Sequence, residues 1–160
     1  MTRPPIPPPP YAGGCICGAV RWRLNARPLA INACHCNACK KMTGATNLLM
    51  ILAPRDVFEH VAGEVQRFRR TAESGRQSDV VRCATCGTRL WHEPLSAPTL
   101  VFVAAGTLDD SGWVVPTSHI WIENASQGVT MQDDALKMKG QPPDRQVLLD
   151  AFRDIYGDAP

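Results

Sequence analysis

The chain has no apolar run long enough to cross a bilayer as a helix, which takes about 20 consecutive residues. It has no excess of charge either. Seventeen Lys and Arg against fifteen Asp and Glu leave a formal +2 over 160 residues. That is too little to drive binding to nucleic acid or an anionic membrane, and there is no basic tail to do so locally. Both kinds of partner are therefore excluded from the reading. Aromatic residues make up only 6% of the chain and histidines number four. The first residues, MTRPPIPPPPY, lack the apolar stretch of a secretory signal, which predicts a cytoplasmic protein. No repeat occurs at solenoid periods. Helical periodicity is absent from nearly the whole length.

What the chain does have is short apolar runs between turn residues. AVRWRLN (19–25) alternates apolar and polar residues from Val20 to Leu24. TNLLMILA (46–53), EVQRFRR (64–70), DVVRC (79–83), TRLWHE (88–93), TLVFVAAG (99–106) and SHIWIE (118–123) follow. Gly63, Ser74–Arg76, Asp109–Gly112 and Pro116 punctuate them. The pattern predicts a mainly β fold of short antiparallel strands. One segment differs: Val147, Leu148, Ala151, Phe152 and Ile155 recur at helical spacing, with Asp144 placed to cap the start and Gly157 to follow the end. An amphipathic helix is expected at about 144–156, packed by its apolar side on the sheet. PPIPPPP is polyproline-like, so residues 1–10 read as a flexible tail, 11–130 as the β domain and 131–160 as a C-terminal extension carrying the helix.

Seven cysteines, an odd number, suit metal binding or thiol chemistry in a reducing compartment better than a disulfide framework. Cys15 and Cys17 form one pair and Cys83 and Cys86 another, each followed by a glycine, Gly18 or Gly87. Glycine permits the positive φ that lets a chain wrap an ion. If Cys15 and Cys17 lie on a strand they face one side, with Ile16 on the other. Four thiolates make a closed tetrahedral site, the form of a structural zinc. The remaining trio, Cys34, Cys36 and Cys39, lies in ACHCNACKKMTG (33–44). Three ligands leave one position open for water or substrate, as in catalytic zinc sites. The alternative is closure by a distant histidine, His60, His92 or His119; His35, between two cysteines, should face away from them. With both sites filled, the formal +2 becomes about −1.

The segments GGCICGAVRW (13–22), CHCNACKKMTG (34–44), CATCGTRLW (83–91), AGTLDD (105–110) and PTSHIWI (116–122) resemble, in order and spacing, the glutathione-dependent formaldehyde-activating enzymes, a family that includes centromere protein V. The resemblance covers about Gly13 to Ile122 and accounts for all seven cysteines. It implies a zinc-bearing β-tent fold, also found in methionine-R-sulfoxide reductases and translationally controlled tumour protein. It implies two zinc ions per chain: a structural one on Cys15, Cys17, Cys83 and Cys86, and a catalytic one on Cys34, Cys36 and Cys39. The implied activity is that of a carbon–sulfur lyase handling S-hydroxymethylglutathione, with a small-molecule thiol such as glutathione as partner. Within the family reading, glutathione either occupies the open zinc position or forms a mixed disulfide, with Cys36 as its site. Lys40, Lys41 and Arg89 are candidates to hold its carboxylates. Two other readings stay open: a non-catalytic zinc module that binds a protein, and a thiol redox protein. The chain departs from the family pattern after HIW, where residues 123–144 keep the Asp133–Asp134 pair but contain no tryptophan.

Overall fold

The computed structural model describes residues 3–158. The first two residues of the expected proline-rich tail and the last two of the C-terminal extension lie outside them. The fold is mainly β, built on two sheets. A small sheet joins β1 (Tyr11–Gly14), β2 (Arg21–Leu24) and β5 (Phe58–Ala62), all antiparallel. The large sheet has eight strands in the order β11-β10-β3-β4-β9-β8-β7-β6. Its members are β3 (Ala30–Cys34), β4 (Leu48–Pro54), β6 (Val65–Thr71), β7 (Gln77–Cys83), β8 (Arg89–Pro94), β9 (Leu100–Ala104), β10 (Ser118–Ile120) and β11 (Leu136–Lys137).

The run from β3 to β6 is antiparallel, as expected. At the other side of β3 the pairing changes hand. β10 runs parallel to β3, and β11 parallel to β10. A long connection from β9 brings β10 back beside β3, which a short hairpin could not do in this direction.

An aromatic chain locks the sheets together. Trp22 on β2 lies 6.0 Å from Phe58 on β5, and Phe58 lies 5.0 Å from Trp91 on β8, measured between ring centroids. All three are buried. Gly13 makes this approach possible: a Cβ there would collide with the Thr107 carbonyl and the Trp22 ring.

Two helices complete the fold. The short α1 (Asn37–Thr43) follows β3 directly. The terminal α2 (Gln146–Tyr156) packs across β3 and β10. Asp144 accepts from the Gln146 N–H at 3.0 Å, and Gly157 closes the end with φ 73° and its N–H on the Arg153 carbonyl at 2.7 Å. Leu148 and Phe152 are the residues that α2 buries. The strand expected over 118–123 stops at Ile120, because Trp121 adopts a left-handed conformation, φ 58° and ψ 40°, and opens a 3-10 turn. Among the described residues of the proline-rich segment, Arg3 pairs with Asp134 and donates to the Val115 and Pro116 carbonyls, while Tyr11 Oη donates to the Pro7 carbonyl at 2.8 Å. No described helix is long and apolar enough to cross a membrane.

If α2 is held by its buried stripe, Phe152→Ala should cost about 3–5 kcal/mol in denaturant unfolding. Asp154→Ala, on the exposed side of the same helix, should stay within about 0.5 kcal/mol.

Candidate metal centre and thiol cavity

The two turns that carry paired cysteines converge, although Cys17 and Cys83 are 66 residues apart. Cys15, Cys17, Cys83 and Cys86 bring their sulfur atoms within 4.8 Å of one another. Cys15 and Cys17 sit in a turn after β1, not on a strand as the alternation of residues suggested. Ile16 still points away and is 90% exposed. The glycines do what their position predicted: Gly18 has φ 78° and Gly87 φ 72°. The turns also aim backbone N–H groups at sulfur. Val20 N donates to Cys15 Sγ at 3.1 Å and Cys86 N to Cys83 Sγ at 3.5 Å. The Thr88 hydroxyl and N–H pull the Cys86 thiol down to about 5. Four convergent sulfurs with N–H donors behind them form a donor set that suits a soft or borderline cation and is consistent with zinc.

The second cluster is made by a strand end and a helix start. Cys34 closes β3, Cys36 caps α1 and Cys39 lies in its first turn, again with all three sulfurs within 4.8 Å. Cys39 N donates to Cys36 Sγ at 3.3 Å. Hydrogen bonds from Cys34 and Cys39, together with the charge of Arg70, favour the Cys36 thiolate. Cys34 is pushed up by its bond to Cys36. Three convergent sulfurs with a cation beside them form a donor set that fits a metal ion. Among the described residues no histidine or carboxylate joins it. His35 is fully buried behind the cluster, with Nε2 3.0 Å from His119 Nδ1, whose other nitrogen lies 3.0 Å from Gln132 Oε1. His60 is exposed on the small sheet.

The trio opens into a cavity of about 140 Å³, room for the liquid volume of roughly five waters. The four-cysteine cluster does not line it. Asn32 does, two residues before Cys34 on the same face of β3. Ser118 Oγ donates to Asn32 Oδ1 at 3.0 Å, which leaves the amide N–H groups for the cavity. His92 lines the wall on β8. Arg89 Nη1 lies 3.3 Å from His92 Nε2; since arginine only donates, Nε2 must accept and the imidazole proton sits on Nδ1. Trp121, Arg70, Arg76 and Arg145 complete the mouth.

The three cations suggested for substrate carboxylates are placed elsewhere. Lys40 Nζ is bonded to the Asn124 carbonyl at 2.6 Å, Lys41 is exposed on α1, and Arg89 is half-buried against His92 and does not line the cavity. Asn32, Arg70, Arg76 and Arg145 were not singled out from the sequence. Asn32 had a signal, its i, i+2 spacing to Cys34, but β3 was not recognised as a strand. Arg145 had none, because only the fold of α2 against β3 brings it near.

Residues 10–124 match the model of a family described as glutathione-dependent formaldehyde-activating enzyme. A Halomonas elongata protein, provisionally named as such an enzyme, is 28% identical over 125 residues, covering 75% of this chain and 80% of that one. A crystal structure of a Rhodobacter sphaeroides protein covers 79% of this chain and 98% of its own, at 18% identity and a TM-score of 0.49.

Burial, then the charges of Arg89, Arg70 and Arg82, hold His92 well below its ordinary value. The unfolded chain therefore takes up this proton first as pH falls, and stability is lost below about pH 6.5 by up to about 1.4 kcal/mol per pH unit. Melts of wild type and His92→Gln between pH 7.5 and 5 should show a steeper acid loss in the wild type. Parallel curves would mean that His92 is not buried neutral.

Proposed function

The chain belongs to the glutathione-dependent formaldehyde-activating enzyme family, and on that premise we propose that it is a zinc-dependent carbon–sulfur lyase acting on the adduct of a thiol, such as glutathione, with a small aldehyde. One observation carries the reading: three buried thiols converge on a cavity with no fourth ligand beside them among the described residues, whereas the other four thiols form a closed set away from it. Cys15, Cys17, Cys83 and Cys86 would hold a structural zinc, and Cys34, Cys36 and Cys39 a catalytic one, two ions per chain. Bound at the trio, zinc would supply a coordination position and lower the pKa of a thiol placed there.

The protein's own residues then account for the rest. The substrate sulfur, as thiolate, attacks the aldehyde carbon; a C–S bond forms, the C=O π pair moves to oxygen, and a proton from solvent completes the hydroxymethyl group. In reverse the same bonds break. Asn32, beside Cys34, presents its amide N–H groups to the developing oxyanion. His92, neutral and protonated at Nδ1, is a second neutral donor on the cavity wall. Leu48, Leu52, Phe102 and Leu148 exclude water from the floor and walls. We assign the catalytic unit to residues 11–130, with 131–160 contributing Gln141, Arg145 and Leu148 to the mouth. A reducing cytoplasm suits seven cysteines that are all unpaired.

The open trio favours this reading over a non-catalytic zinc module. Elemental analysis should find two zinc ions per chain, falling to one in Cys36→Ser/Cys39→Ser, with cooperative melting retained. One ion in both proteins would sink the catalytic site and return the trio to plain thiols. In thiol–aldehyde assays Asn32→Ala should lower kcat about 10²-fold with little change in KM. An unchanged kcat would remove Asn32 from the oxyanion role.

A further inference from the structure

We propose that Arg70, Arg76 and Arg145 form a carboxylate-binding rim that selects thiols carrying carboxylate groups over neutral ones; this deepens the thiol reading above and names its specificity residues. All three line the same cavity as the cysteine trio. Six other arginines, Arg3, Arg21, Arg23, Arg67, Arg69 and Arg153, have a carboxylate within salt-bridge distance. Among the described residues, these three have none; nor have Arg27, Arg55, Arg82 and Arg89, but of the unpaired arginines only Arg70, Arg76 and Arg145 line the cavity.

Arg70 faces the cysteine trio, and Arg76 and Arg145 touch only neutral groups. Arg70 Nη1 rests on Cys39 Sγ at 3.7 Å and Met42 Sδ at 3.6 Å. Arg76 Nη2 reaches the Pro143 carbonyl at 3.5 Å, and its Nη1 is buried with no partner at all. Arg145 Nη2 donates to Ser96 Oγ at 2.7 Å, and burial followed by the charge of Arg76 lowers its affinity for its proton. Half-buried guanidinium groups that repel each other, with one N–H group left unsatisfied, carry a desolvation cost that an anion between them would offset. The planar fork of arginine matches a carboxylate in particular. The single carboxylate among the lining residues, Glu73, already accepts from the Ala38 N–H at 3.2 Å and leaves the balance at the mouth positive. The cavity, at about 140 Å³, has space for a thiol arm beside the trio. A ligand whose sulfur reaches the trio brings its charged ends among the arginines that line the same cavity.

The test is calorimetric binding to the zinc-loaded full chain, with glutathione, S-methylglutathione and 2-mercaptoethanol as probes. The variants are Arg76→Gln, Arg145→Gln, the double variant and Arg145→Lys, with Arg153→Gln as a control on a paired arginine outside the cavity. Zinc content and melting establish that each variant folds. S-methylglutathione, which has no thiol to deprotonate, should bind the wild type and weaken about tenfold or more for each arginine removed. Arg145→Lys should restore part of the loss, and 2-mercaptoethanol should bind all variants alike. Equal binding of S-methylglutathione to wild type and double variant would overturn the rim. So would competition by inorganic phosphate as strong as by S-methylglutathione, which would mean an unselective anion site. If S-methylglutathione binding needs the arginines but neither thiol probe binds more tightly than its thioether or alcohol counterpart, the rim stands and the thiol reading falls.

Discussion

The demand that four sulfur atoms meet at one point governs how the two sheets are joined. Cys15 and Cys17 come from the turn that leaves the small sheet, while Cys83 ends β7 and Cys86 precedes β8 in the large one. Whatever holds the sulfurs together therefore holds the sheets together, 66 residues apart in sequence between Cys17 and Cys83. The aromatic chain from Trp22 through Phe58 to Trp91 runs between the same two sheets. A core with so few aromatic side chains gains most from a tie that closes a long loop, because the entropy removed from the unfolded chain grows with loop length.

The trio is built for a different purpose, and its surroundings say so. The first cluster faces turns and solvent, with Cys17 exposed. The trio is buried on every member yet opens on a cavity whose other lining residues come from β3, β4, β6, β7, β8, β9, β10, the turn at 72–76 and the C-terminal segment. Burial raises the strength of each polar group there, since little water competes. That makes Asn32, His92 and the arginines matter more than their number suggests.

Much of this was legible in the sequence. Cysteine spacing separated the two clusters, and the glycines after Cys17 and Cys86 marked the turns that wrap them. Alternation placed β2, and helical spacing placed α2 to within two residues of its start. What escaped has physical causes. β3 is buried along its whole length, so it shows no alternation to read. The pair Cys15 and Cys17 looked like strand residues because an i, i+2 pattern is shared by strands and tight turns. Within the EVQRFRR run the arginines fall on two faces of the strand: Arg67 and Arg69 pair with Glu93 and Asp79, while Arg70 turns toward Cys39. The direction of β10 could not be read, because parallel pairing depends on where a long connection returns.

The near-neutral net charge conceals a division of labour between cations. Six arginines pair with carboxylates, most of them at exposed positions, and such pairs contribute little beyond solubility and register. Among the described residues seven arginines have no carboxylate within reach, and three of them, all half-buried, line one cavity. The cost is accepted where nine helices and strands of the chain meet around three thiols. Because those elements include the last helix as well as β3, the site exists only when the whole chain has folded. Its chemistry and the protein's global stability are therefore tied to the same packing contacts.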